Sequence, residues 1–333
     1  MTFFIVFIVC VVFGVVLVFL YIKNLFKGPN YTNLPTYYPF KSTEAEQLYQ
    51  KYYDQRAQEF PDPSEARFVE TSFGKTYVRI YGEENAPSLV LLPSGFASSL
   101  IWLPNIQELA LHFRIFAVDN IYDVGRSVNT RPVADANDLT QWLDELFTQL
   151  ELGDNINLMG LSFGGWLASQ YALRQPNRLA GVVLVAPVAT IFPLPGEWAW
   201  RGIMGALPPH KFFMTRFLTN WMCQDLVKKG DAFSKRMLDN WMKDALMAMK
   251  CFRFRMPITP TVLSDEELRS FKMPLLFMVG ENEVVYQADE AVQRIKTVAP
   301  LIRTEVIRNA SHDLTISQTQ IVNNRVISFL LGK

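Results

Sequence analysis

The amino-acid sequence predicts an α/β chain: a three-layer domain with a mostly parallel central sheet, carrying an inserted helical cap and preceded by an N-terminal transmembrane helix. Three observations predict it. From residue 67 onward short apolar runs alternate with longer stretches of helical spacing, that rhythm breaks between about 190 and 265, and the chain opens on a long uncharged run. The expected division is a transmembrane anchor over 1–23, a tether and N-terminal helix over 24–66, a first part of the core over 67–189, the cap over 190–265 and a second part of the core over 266–333.

Phe3 to Ile22 is nearly all apolar, and at about 1.5 Å of rise per residue it matches the roughly 30 Å hydrocarbon layer of a bilayer. A secretory leader would carry a basic start and a small-residue cleavage site. Here only Met1 and Thr2 precede the run and no A-x-A pattern follows it, so a retained single-pass membrane anchor is expected. Lys23 and Lys27 just beyond its end incline the large domain to the cytoplasmic side by the positive-inside tendency. Residues 24–45 hold three prolines, which argues for a non-regular tether or a segment lying along the domain. Glu44 to Gln58 has helical spacing.

RFVETSF and KTYVRIYG flank the Phe73-Gly74-Lys75 turn and predict a hairpin. SLVLLP at 88–93, FRIFAVD ending at Asp119, INLMGL ending at Leu161, GVVLVAP ending at Pro187 and PLLFMVG ending at Gly280 are apolar throughout, as inner strands covered on both faces must be. Asp138 to Leu150 places Leu139, Trp142, Leu143, Leu146 and Leu150 on one helical face, with an acidic start that suits a helix N-terminus. Further helices are expected over 165–174, 289–297 and 317–331. Strand and helix in alternation imply βαβ units and helices on both sides of the sheet. The segment from 190 to 265 has helical spacing without a convincing strand, hence the cap. Its aromatic and methionine side chains either pack on the sheet or line an apolar cleft.

Composition removes several functions. With 32 basic and 32 acidic residues, the chain lacks the clustered positive charge that a nucleic acid partner rewards. Cys10, Cys223 and Cys251 form no metal-ligand or disulfide spacing, and Cys223 and Cys251 are expected as free thiols. His112, His210 and His312 are too few and too scattered for a multi-histidine metal centre. No motif calls for a cofactor.

Gly160-Leu161-Ser162-Phe163-Gly164 sits between an apolar strand and a helical stretch. Small residues on both sides let the backbone crowd at a sharp strand-to-helix turn, which projects the Ser162 hydroxyl at the sheet edge. A serine needs an imidazole to take its proton. His312, between the candidate strand LIRTEVIR and the last helix, is best placed, ahead of His112 before a core strand and His210 in the cap. The imidazole needs a carboxylate to fix its tautomer. Glu283, three residues past Gly280, has the better reach than Glu281 at the strand end or Asp289 at a helix start. The oxyanion of an acyl transfer needs preorganised N–H groups. The Phe163 amide and one from the Ser94-Gly95-Phe96-Ala97-Ser98 loop, assigned to Phe96, are the expected donors.

On these motifs residues 67–332 resemble the α/β-hydrolase family, in its esterase, lipase and peroxidase-like branch. Gly160 to Gly165 matches the family's nucleophile elbow, Asp119 through Gly125-Arg126-Ser127 its loop after the fourth strand, Gly280 and Glu283 its acid loop, and Asn309-Ala310-Ser311-His312 its histidine motif. The family's oxyanion loop commonly begins His-Gly where this chain has Ser94-Gly95, and its acid is usually aspartate rather than glutamate. The resemblance implies the three-layer hydrolase fold and a serine hydrolase. The expected activity is cleavage of carboxylic esters through a covalent acyl-enzyme. An apolar or lipid-like small molecule is the expected partner, on the strength of Phe192, Trp198, Trp200, Phe212, Phe213 and Trp221 in the cap. Carbon–carbon bond hydrolysis, amide hydrolysis and acyl transfer are the alternatives on the same fold, and a non-catalytic interaction protein is the alternative of a different class.

Overall fold

Alternation along the strands decides which side chains face which layer. In β3 (Ser88–Leu92), Val90 and Leu92 pack in one apolar cluster and Leu89 and Leu91 in another; Val182 and Leu184 against Val183 and Val185 do the same in β7 (Leu179–Val185). Successive side chains of a strand point to opposite faces, so a strand apolar at every position needs cover on both. The computed structural model describes residues 34–35, 37–63, 65–197, 201–202, 211–253 and 258–332.

The remaining strands are β1 (Glu65–Thr71), β2 (Gly74–Tyr81), β4 (Arg114–Val118), the two-residue β5 (Val128–Asn129), β6 (Ile156–Leu161), β8 (Leu275–Gly280) and β9 (Arg303–Ile307). They form one nine-stranded sheet in the order β1-β2-β4-β3-β6-β7-β8-β9, with β5 on β2. β1 and β2 are the expected hairpin, β2 runs antiparallel to β4, and from β4 to β9 every pairing on that path is parallel.

Helices α1 (Thr43–Ala57), α2 (Leu103–Leu109) and α11 (Thr319–Leu330) cover one face, where Tyr49, Tyr53, Ile106, Leu109, Val322 and Val326 are buried. Helices α3 (Ala136–Gln149), α4 (Phe163–Arg174) and α9 (Ala288–Val298) cover the other. α3 starts two residues before the expected Asp138, because Asp135 caps it by accepting from the Asn137 and Asp138 amides at 2.8 and 3.1 Å. Its face Leu139, Trp142, Leu143, Leu146 is wholly buried. Truncating one such leucine to alanine costs about 2–5 kcal/mol. The expected helix over 317–331 is α11, and a separate single turn, α10 (Leu314–Ser317), precedes it across Gln318.

Between β7 and β8 lie α5 (Lys211–Phe217), a π-helical turn (Leu218–Met222), α6 (Gln224–Lys229), the long α7 (Ala232–Cys251) and α8 (Asp265–Ser270). Met214, Leu218, Trp221, Met222, Leu226 and Met237 make a separate apolar core that reaches Ile316 of the domain below. Much of the cap's apolar content therefore fills its own interior. The Ser42-capped α1 and the residues before it lie along the domain. Phe40 bridges to Phe252, the Lys41 amide donates to Cys251 O at 2.8 Å, and Arg56 of α1 pairs with Asp244 of α7 at 3.0 Å.

The expectation of a transmembrane helix ahead of this fold, with the membrane partner and single-pass membrane placement built on it, is corrected. No helix among the described residues is long and apolar enough to cross a membrane. The longest of them, α7, carries Lys235, Arg236, Asp239, Lys243 and Asp244 along its length, charges that a bilayer interior does not accept. The run Phe3–Ile22 lies outside the described residues.

Candidate active site

The sheet order reverses direction around β3: β4 lies on one side of it and β6 on the other, so the crevice beyond their C-terminal ends is a topological switch point, where open α/β sheets bind ligands. Ser162 stands there, one residue past β6, 7% exposed, with φ 56° and ψ −114°. That left-handed backbone is costly for a non-glycine residue, about 1–3 kcal/mol, and it persists because neighbours hold it on every side. The Ser162 amide donates to Val185 O at 2.8 Å, and its carbonyl accepts from Trp166 and Val188 at 3.0 and 3.3 Å. A side chain on Gly164 would stand 2.4 Å from the carbonyl oxygens of Leu92 and Pro93, so only glycine lets α4 start this close to the end of β3.

Glu283 leaves the end of β8 in a tight turn, its amide donating to Gly280 O at 3.1 Å. Its Oε1 accepts from the Val284 and Val285 amides at 2.9 and 3.0 Å, which fixes the carboxylate. His312 Nδ1 lies 2.9 Å from Oε1 and 3.0 Å from Oε2, and both side chains are buried. Gly280 makes the meeting possible: a Cβ there would fall 2.4 and 2.5 Å from the carbonyl oxygens of Ala310 and Ser311, so the histidine loop rests directly on the strand end. The Asn282 amide donates to Ala310 O at 2.8 Å and ties the two loops further.

Burial pulls the His312 pKa down, but the Glu283 charge and hydrogen bond, with Asp313 at longer range, outweigh it and hold the imidazole above its ordinary value. Asp313 is itself raised, by burial, against hydrogen bonds from Ser317, Leu226 and Ser311. Ser162 uses its backbone for all the bonds given above, and its hydroxyl makes none among the described residues. Catalytic hydrogen bonds of ligand-free sites often tighten only when substrate arrives.

The other sequence candidates fall elsewhere. Glu281 is exposed and accepts from the Asn309 amide at 3.1 Å, and Asp289 lies in the first turn of α9. His112 precedes β4, on the sheet edge opposite Ser162. His210, Trp198 and Trp200 lie outside the described residues. Phe163 is the first residue of α4, where helix amides lack internal partners and face outward. The Phe96 amide, at φ 58°, donates to Asp123 Oδ2 at 2.9 Å. Its use by an oxyanion therefore requires exchange of that bond. Asp123 was missed in the sequence because only the fold brings the loop after β4 against the loop after β3.

Beside the Phe96 loop runs a cleft open to solvent, whose walls include Leu100, Ile101 and Leu103 of the core, Ile316, Met237 and Trp241 of α7, and the Arg56–Asp244 pair. Among the described residues, none of the cap aromatics that stand out in the sequence lines it. Phe212 is exposed, Trp221 belongs to the cap core, and Phe192 packs under Arg294. Met237 and Trp241 lie on the α7 face turned to the core, a face that helical spacing alone does not identify. Among the described residues no group of three His, Cys, Asp or Glu side chains is placed to hold a metal ion.

Residues 89–325 match the alpha/beta hydrolase family. The chain is 31% identical over 297 residues to carboxylesterase YbfK of Bacillus subtilis, covering 88% of this chain and 97% of that one. The crystal structure of carboxylesterase CesB (YbfK) superposes with a TM-score of 0.77 at 30% identity, over 87% of this chain and all of that one. The naproxen esterase (carboxylesterase NP) of the same organism superposes with a TM-score of 0.77 at 29% identity, over 86% and 99%.

Proposed function

The chain belongs to the α/β-hydrolase family as a carboxylesterase-like serine hydrolase, and on that premise we propose that it cleaves carboxylic esters of apolar acyl groups through a covalent acyl-enzyme on Ser162. The observation that supports the proposal is that a serine strained at φ 56° just past the C-terminal end of β6, and a buried His312–Glu283 pair joined at 2.9 Å beyond the C-terminal ends of β8 and β9, stand at the same end of one parallel sheet.

In the first half-reaction His312 Nε2 takes the Ser162 proton as Oγ bonds to the ester carbonyl carbon, and Glu283 stabilises the imidazolium that forms. The carbonyl oxygen, now an anion, is met by the Phe163 amide at the N-terminus of α4 and by the Phe96 amide, which leaves Asp123 for it. The imidazolium passes its proton to the departing alcohol. In the second half-reaction His312 takes a proton from water, the hydroxide adds to the acyl carbon, and the proton returns to Ser162 as the acid leaves. The cleft walled by Leu100, Ile101, Leu103, Met237, Trp241 and Ile316 receives the apolar acyl chain.

A fluorophosphonate probe is expected to label the wild-type chain and to leave Ser162→Ala unlabelled. In a p-nitrophenyl ester series the wild type turns over and Ser162→Ala and His312→Ala are silent, with residual rates lower by about 10⁴-fold or more. Labelling that survives in Ser162→Ala removes the assigned nucleophile; inactivity of the labelled wild type on every ester, with turnover of amides, diketones or acyl acceptors, moves the activity to another bond.

A further inference from the structure

Glu283 and His312 each have a chain neighbour that reaches up into the cap, and both reach the same short stretch of it. On the acid side, Asn282 Nδ2 donates to Asp225 Oδ2 at 2.9 Å. On the histidine side, Asp313 Oδ2 accepts from the Leu226 amide at 3.1 Å, and Ser311 Oγ donates to Met222 O at 3.2 Å. Lys229 Nζ adds a bond to Ser317 O at 3.2 Å. Asp313 is 1% exposed, and its other oxygen accepts from the Ser317 hydroxyl at 2.9 Å and lies 3.1 Å from the Ser311 hydroxyl, whose single proton is shared with Met222 O, so one carboxylate joins the histidine loop, α10 and the cap. Asp225 is buried as well, with Lys228 at 3.1 Å on its second oxygen.

A cap that only covers substrate would rest on the mouth of the cleft by apolar contact. This stretch instead bonds to the residues on either side of the acid–base pair, through buried carboxylates whose bonds are costly to leave unmade. We propose that the cap segment Met222–Lys229 positions the acid–base pair, with Asp313 and the Asp225–Asn282 bond as the positioning residues. The proposal rests on the reading of Ser162, Glu283 and His312 as one catalytic unit. Its consequence is that the cap's position is transmitted to the imidazole: displacement of this segment shifts His312 and Glu283 relative to Ser162, and the chemistry weakens before substrate binding does.

The test compares the full-length wild type with Asn282→Ala, Asp313→Ala and Asp225→Asn. Fluorophosphonate titration counts competent sites, and kcat and KM are then measured on one p-nitrophenyl ester. Asn282→Ala and Asp313→Ala are expected to lower kcat per competent site by about 10- to 100-fold, the scale of sub-ångström to ångström misplacement of a catalytic group. KM changes little in both. Asp225→Asn keeps an oxygen for Asn282 and is expected to retain most of kcat. Wild-type kcat in both alanine variants, or a rise in KM with kcat intact, overturns the proposal and leaves the cap a cover only. Should Asp313→Ala fail to fold, Asn282→Ala decides alone, since Asn282 is exposed. Failure of the underlying catalytic reading is seen separately, as absence of Ser162-dependent labelling in the wild type.

Discussion

His312 sits between two opposing influences, and the balance makes a pH prediction. As the base of the proposed mechanism it works only when neutral, so activity is lost as pH falls through its pKa. Burial lowers that pKa, while the charge and hydrogen bond of Glu283, with a contribution from Asp313, raise it above the ordinary imidazole value. The acid limb of kcat/KM in the wild type is therefore expected to lie at higher pH than an unperturbed histidine would give. Glu283→Gln removes the charge and offers an amide group to Nδ1. The limb is expected to move to lower pH while kcat falls by about 10³- to 10⁴-fold, because the imidazole loses both its tautomer and the partner of its charged form. An unshifted limb in Glu283→Gln would show that another group sets the pKa. Ser162, Glu283 and His312 were legible as candidates because each needs only a local signal: a crowded turn after a strand, a carboxylate in reach of a strand end, an imidazole before the last helix. Asp123, Asp225 and Asp313 carry no such signal. Their partners lie 27, 57 and 87 residues away in the chain, and nothing short of the fold brings them together.

At the level of elements, unbroken apolar runs located β3, β4, β6, β7 and β8 to within a residue or two, since strands buried on both faces leave no place for polar side chains. Boundaries set by single contacts were less visible. Asp135 extends α3 backward through its cap, the last helix begins at Thr319 after the separate turn α10, and β5 is a strand of two residues paired with β2. Gly280 shows what one element boundary does for the site. It ends β8 and supports the histidine loop, and a methyl group there would overlap two backbone oxygens rather than the end of a flexible side chain. Backbone cannot rotate aside, so the loop itself must shift. Gly280→Ala is expected to lose about 1–3 kcal/mol of stability in urea melts, as overpacked sites do. It is expected to lose more in activity than that implies, up to about 100-fold in kcat, because the displaced loop carries His312. Stability lost without any change in kcat per folded molecule would mean that the loop gives way elsewhere.

The whole molecule builds its cleft from separate parts of the chain, among them the N-terminal helix α1, the core turn after β3, Ile316 of α10 and the long cap helix α7. α1 is expected from the sequence as a helix, but not as one wall of a binding site. It holds α7 through the Arg56–Asp244 pair and the Tyr52 hydroxyl on Asp244, and Glu59 just past its end accepts from the Asn240 side chain. The apolar part of this cleft makes a chain-length prediction. Each methylene of an acyl chain moved from water into an apolar cleft contributes about 0.8 kcal/mol, or roughly four-fold in kcat/KM. Specificity for p-nitrophenyl esters is therefore expected to climb by about that factor per methylene from acetyl upward until the cleft is filled, then to level off. Ala245 faces this cleft from α7. Ala245→Trp adds a large ring to a cleft that Ser162, Glu283 and His312 do not line. Acetyl ester turnover is expected to stay within about two-fold of wild type, while the climb with chain length flattens and the longest esters lose about 10-fold or more. A slope unchanged in Ala245→Trp would place the acyl chain outside this cleft, and a wild type with no slope at all would remove the apolar acyl group from the proposal while leaving ester cleavage at Ser162 intact.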